Sequence, residues 1–136
     1  MKLTPNMMVE NVNSTLEYYT AQLGFELVMA VPQDSREVLF EFNRERPLVY
    51  AMVKKDGAEL MFQTRESLME DVPAFTGQSI GSSVTFYMET DDLDGIFQKL
   101  GPSVDVVKKP ETTWYGMREF YIRDLNGYIL GFGQRA

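Results

Sequence analysis

Two stretches of this chain repeat one another in plan, and that repetition limits the available folds more than any other feature. The first is "KLTPNMMVENVNSTLEYYTAQLGFELVMAV" and the second "SSVTFYMETDDLDGIFQKLGPSVDVV". Each opens on an alternating run that reads as a strand, Leu3 to Val9 and Ser83 to Glu89. Each continues through a polar cap into an amphipathic helix. In the first, Ser14 and Glu17 have the spacing of a capping box, and Val12, Leu16, Tyr19 and Leu23 make the apolar stripe. In the second, Asp91 or Asp92 caps, and Leu93, Ile96, Phe97 and Leu100 make the stripe. Both stripes end in "LG", at Gly24 and Gly101, the pattern of a left-handed helix stop. Strand-like runs then follow in each half. In the first they are Phe25 to Val31, Leu48 to Val53 and Ala58 to Gln63. In the second they are Val104 to Val107, Met117 to Ile122 and Tyr128 to Gly133. The last two of each half meet at a glycine-ended turn, "KKDG" and "DLNG".

The expected fold class is therefore α+β, two βαβββ halves whose curved mixed sheets enclose a shared cleft. One domain spans residues 1–136, with half-repeats at about 1–66 and 83–136 and a linker at 67–82. The front of the linker reads as a helical turn and its back, rich in Gly and Ser, as a loop. The run "REVLFEFNRERP" fits neither repeat; it extends the second strand or forms an inserted excursion.

Composition narrows the chemistry. The chain has no histidine and no cysteine, so the commonest metal ligand, the commonest general base and all thiolate chemistry are missing. Its formal net charge of −7 repels nucleic acid backbones and anionic membranes and favours cationic partners. "MKLTPNMMVEN" carries no apolar signal core, and no run reaches membrane-spanning length. The expectation is a soluble, cytoplasmic protein with no nucleic acid and no membrane partner.

"MMVENVNSTLEYYTAQLGFELV", "GAELMFQT" and above all "WYGMREFYIRDLNGYILGF" carry a family likeness. The last resembles the W-G-x-R-E-F…D-P-x-G-N segment of bleomycin-resistance proteins, with Tyr115 inserted after Trp114 and Leu125 in place of the proline. Over nearly its whole length the chain is similar to the vicinal oxygen chelate superfamily. That group includes glyoxalase I, extradiol dioxygenases, fosfomycin-resistance enzymes and bleomycin-resistance proteins. Metal-using members place one ligand, usually His or Glu, at each of four strand positions. The resemblance puts those positions on Thr4, Thr85, Gly131 and either Glu59 or Met61. At most one carboxylate remains where three or four ligands are needed, so no metal and no other cofactor is expected.

Strand alternation then sorts the faces. With the four positions go Asn6, Met8, Gln63, Tyr87, Glu89, Ile129, Gly133, Met117, Glu119 and Tyr121. Phe86, Met88, Leu60, Phe62, Leu130, Phe132, Phe120 and Ile122 fall on the opposite, uniformly apolar face, the expected core. Tyr121 matches a substrate-contacting tyrosine of fosfomycin-resistance enzymes, and Trp114 the tryptophan that bleomycin-resistance proteins place against the drug. The expected ligand-binding set is Asn6, Glu59, Met61, Tyr87, Trp114, Met117, Glu119 and Tyr121. Its rings, thioethers and carboxylates suit a flat or cationic small molecule. Gly131 and Gly133 are expected to leave room for a ligand group. The reading is a metal-independent binding protein of the bleomycin-resistance type, a homodimer by resemblance, with no catalytic residue. The alternative is a metal-free lyase or isomerase using Glu59 or Glu119 as base.

Overall fold

A computed structural model describes residues 1–136. The chain divides into two compact units, Met1–Ile80 and Gly81–Ala136. The first holds β1 (Asn6–Val9), α1 (Val12–Glu17), β2 (Glu26–Pro32), β3 (Leu48–Lys55), β4 (Ala58–Thr64) and α2 (Arg65–Asp71). The second holds β5 (Thr85–Glu89), α3 (Leu93–Lys99), β6 (Asp105–Thr112), β7 (Met117–Arg123) and β8 (Ile129–Arg135). Each unit builds a four-stranded mixed sheet, in the order β1-β4-β3-β2 and β5-β8-β7-β6. The opening strand runs parallel to the last strand of its own unit, and the other pairings are antiparallel. No helix is long and apolar enough to cross a membrane.

The first helix starts one turn earlier than the capping-box spacing predicts. Asn11, not Ser14, is the cap, and its side chain accepts from the Ser14 backbone N–H at 2.8 Å. The helix widens into a π turn over Tyr18–Gln22 and stops at Gly24, whose φ of +74° is left-handed. The π turn keeps Tyr19 on the same face as Val12 and Leu16. All three are buried, and the Tyr19 ring meets Phe62 at 4.7 Å and Phe25 at 5.6 Å.

The second helix departs from the expected stop. Asp92 caps it, accepting from Gly95 N–H at 3.2 Å. Its end is made by Leu100 turning to extended backbone, and Gly101 is not left-handed. Leu93, its first residue, is buried, and Phe97 meets Phe120 edge-on at 5.1 Å. Arg118 on β7 grips Asp94 of α3 through both Nε and Nη2.

The run that fitted neither repeat is an excursion. Its neck closes where Gln33 N–H donates to the Pro47 carbonyl at 2.9 Å, and Leu39 pairs with Ala30 as an isolated bridge. Arg46 ties it inside by ion pairs to Asp34 and Glu37. The predicted strand at Leu3 to Val9 begins only at Asn6, which leaves Thr4 outside it, and β6 runs on to Thr112. The front of the linker is a full helix, α2, capped by Thr64.

Candidate functional site

In each unit the strand register brings the expected residues onto one sheet face. In the first, Asn6 lies beside Met61, and Met61 beside Met52. Asn6 Nδ2 donates to Gln63 Oε1 at 2.9 Å, and Gln63 Nε2 donates to Ser67 Oγ and Asp71 Oδ2 at 2.8 and 2.7 Å. Gln63 is buried, and this network satisfies its amide on both ends. Glu59 is engaged by the Lys2 ammonium.

The second unit carries a different kind of cluster. Tyr87, Gly131 and Tyr121 are register neighbours across β5, β8 and β7, and Glu89, Gly133 and Glu119 form the next row. Glu119 is 3% exposed, although its strand neighbours Phe120 and Ile122 already fill the core on the other face. Its Oε2 accepts from the Tyr87 hydroxyl at 2.7 Å and its Oε1 from the Tyr115 hydroxyl at 2.6 Å. No Lys or Arg forms an ion pair with it. Lys108 on β6 feels the Glu119 charge through space, but its direct ion pair is with Glu111, at 2.8 Å. A carboxylate buried among neutral donors is costly to desolvate, and the two short phenolic hydrogen bonds offset part of that cost.

The glycines correct one expectation. A Cβ at Gly133 would lie 1.8 Å from the Tyr87 hydroxyl oxygen, and one at Gly131 2.6 Å from Tyr121 Cε1. The space that side chains would take on β8 is filled by the protein's own tyrosine rings, not left for a ligand. The glycines let Tyr87 lie down across the sheet and reach Glu119.

The donors at the expected metal positions do not fit a metal. Thr4 and Thr85 offer neutral hydroxyls, Glu59 is taken by Lys2, and Gly131 offers only backbone beneath tyrosine rings. Nowhere do three His, Cys, Asp or Glu residues gather closely enough to hold an ion.

Trp114 and Tyr115 sit on the turn between β6 and β7. Their rings meet edge-to-face at 5.3 Å, and Trp114 is 95% exposed, so it packs no core. Tyr115 was missing from the sequence-derived set. Its one signal was its place as an extra ring beside Trp114, and nothing in the spacing placed its hydroxyl on Glu119. An open hollow of about 320 Å³ adjoins the cluster, sharing Glu89 and Gly133 with it and adding Asp91, Met117 and Arg135.

The whole pattern has a counterpart among known proteins. A sequence profile described as "Glyoxalase: Glyoxalase/Bleomycin resistance protein/Dioxygenase superfamily" matches residues 4–132. The chain belongs to this superfamily. Solved structures agree with it in fold. TioX from Micromonospora sp. ML1 superposes with a TM-score of 0.73 at 15% identity, over 100% of this chain and 99% of that one. FosX, a fosfomycin resistance protein from Listeria monocytogenes, gives 0.67 at 11%, over 100% and 93%. The bleomycin-binding protein of Streptomyces verticillus, complexed with copper(II)-bleomycin, gives 0.60 at 17%, over 97% and 93%. A search of curated protein sequences found no match.

The cluster makes the tyrosines hold their protons. Burial, then the hydrogen bond to Glu119, pushes the Tyr87 hydroxyl well above its ordinary value of 10.0. The Glu119 hydrogen bond, then burial, raises Tyr115, and burial, then the Glu119 charge, raises Tyr121. Above pH 10 the unfolded chain gives up these protons while the folded one keeps them, so stability is whole below pH 10 and falls as pH rises beyond it. Tyr87→Phe is expected to flatten that alkaline fall in urea titrations run across the range. An identical slope in the two proteins would mean that the Tyr87 hydroxyl is not held by Glu119.

Proposed function

We propose that this chain is a metal-independent binding protein that holds a small aromatic or cationic molecule on the cluster face of its second unit, without turning it over. One observation carries the reading: a buried carboxylate, Glu119, is held by tyrosine hydroxyls without a direct ion-pair partner, and an exposed tryptophan packs against one of those tyrosines. Such a face supplies flat apolar surface and one fixed negative charge, a combination suited to recognition. The net charge of −7 draws cations toward it.

The alternative, a metal-free lyase or isomerase with a glutamate base, finds less support. Glu59 is neutralised by Lys2, and both oxygens of Glu119 already accept hydrogen bonds. A base needs reach to a substrate proton and a partner acid, and here neither glutamate has both. The proposal also carries the homodimer expected from the resemblance, which sedimentation equilibrium reads.

A thermal-shift panel of glycopeptide antibiotics, phenazine-like aromatics, fosfomycin and small α-keto compounds tests the reading, because binding to the folded state raises the melting temperature. Trp114 is the only tryptophan, so each hit is expected to change the intrinsic emission. Hits that all leave the emission untouched would move the site away from this face.

A further inference from the structure

The two oxygens of Glu119 are held by very different partners. Oε2 belongs to Tyr87, a strand residue whose ring is wedged over Gly131 and Gly133. Oε1 belongs to Tyr115, which hangs from a short turn and is 52% exposed. That turn does not depend on Tyr115 for its shape. Thr113 N–H donates to the Met117 carbonyl at 2.7 Å, Met117 N–H to Thr113 Oγ1 at 3.1 Å, and Ala136 N–H to the Gly116 carbonyl at 3.0 Å. Gly116 takes the left-handed conformation, φ +83°. A rotation of the Tyr115 side chain therefore frees Oε1 without opening the hairpin.

We propose that Tyr115 is a built-in stand-in for the ligand. Its hydroxyl occupies, on Glu119 Oε1, the seat of a protonated nitrogen, so the site takes a planar cation of the amidinium, guanidinium or ring-borne ammonium class, and binding displaces Tyr115. The inference rests on the binding reading above and names its ligand class. A phenol is a neutral donor, whereas an N⁺–H donor to the same oxygen is charge-assisted on both sides and supplies the counter-ion that Glu119 lacks. Lys108 acts on Glu119 only through space, its direct ion pair being with Glu111, so no cation touches the carboxylate. The displaced position also brings the ligand's ring beside Trp114, whose faces are open to solvent. Tyr87 stays in place, because the glycines beneath it make its seat part of the sheet.

Benzamidine, a planar cation, and benzamide, its neutral counterpart, are the probes. Each is titrated into the wild-type protein, Tyr115→Phe and Glu119→Gln, read by Trp114 emission and by calorimetry, with melting curves to show that each variant is folded. Tyr115→Phe keeps the ring and removes only the competing hydroxyl, so it is expected to bind benzamidine about tenfold more tightly than wild type. Benzamide is expected to bind neither protein measurably, and Glu119→Gln to lose benzamidine. Equal benzamidine affinity in wild type and Tyr115→Phe, or benzamide binding as well as benzamidine, would overturn the stand-in. If panel compounds still raise the melting temperature in that case, the binding reading survives while this inference falls. If neither the panel nor benzamidine registers on wild type or Tyr115→Phe, both fall together.

Discussion

Phe120→Ala is expected to destabilise the protein by about 3–5 kcal/mol, the range for truncating a fully buried phenylalanine. Phe120 is wholly buried, stacked on Phe132 at 4.8 Å with a 16° tilt, and met edge-on by Phe97 of α3. The substitution removes the surface on which the helix sits and leaves a cavity between two rings that are fixed by their own backbones. The site suffers with it, because Glu119 is the next residue on the same strand and its aim across the sheet depends on β7 staying flat against β8. Urea unfolding of the variant reads the loss directly. A cost below about 1 kcal/mol would show that Phe120 is not the centre of this core.

Gly133→Ala is the second large effect, and its sign is the informative part. In an ordinary strand the added methyl is favourable by about 0.5–1 kcal/mol, since glycine is the entropically poorer residue. Here the methyl carbon would fall 1.8 Å from the Tyr87 oxygen and 2.5 Å from Tyr87 Cζ, so the ring must leave. Expelling it takes one of the two donors from a buried carboxylate, a loss of about 1–3 kcal/mol. The clash outweighs the propensity gain, and the variant is expected to be less stable by about 1–2 kcal/mol. The cause is separable. With Tyr87→Ala already made, nothing is left to expel, and Gly133→Ala should become neutral or stabilising. Strict additivity of the two substitutions in a double-mutant cycle would refute the contact.

The residues responsible for these effects were unequally legible. Phe120 was readable as core because alternation along β7 puts it on the same side as Ile122, opposite Glu119 and Tyr121. The turn between β7 and β8 was readable because "DLNG" closes on its immediate neighbours: Asp124 Oδ1 takes the Asn126 and Tyr128 N–H groups, and Gly127 supplies the positive φ. The cap at Asn11 was missed because Ser14 and Glu17 offer the same local chemistry one turn later, and the end of α3 was missed because Leu100 simply extends. In both cases local signals competed on equal terms. The glycines of β8 were read correctly as places of close approach and wrongly as places for a ligand. The ring that fills the space comes from β5, more than forty positions away in the chain for Gly133.

Local chemistry by itself therefore determined the βαβββ plan of each half, the sorting of the two strand faces and the poverty of metal donors at the expected positions. These depend on period, turn residues and side-chain type, all of which act within a few residues of one another. Only the tertiary structure decided that Tyr87 and Tyr115 converge on Glu119, and that the carboxylate is buried without a direct ion-pair partner. Hydrogen bonds between strands depend on register, and register is set by how the whole sheet closes, so no window along the chain contains it.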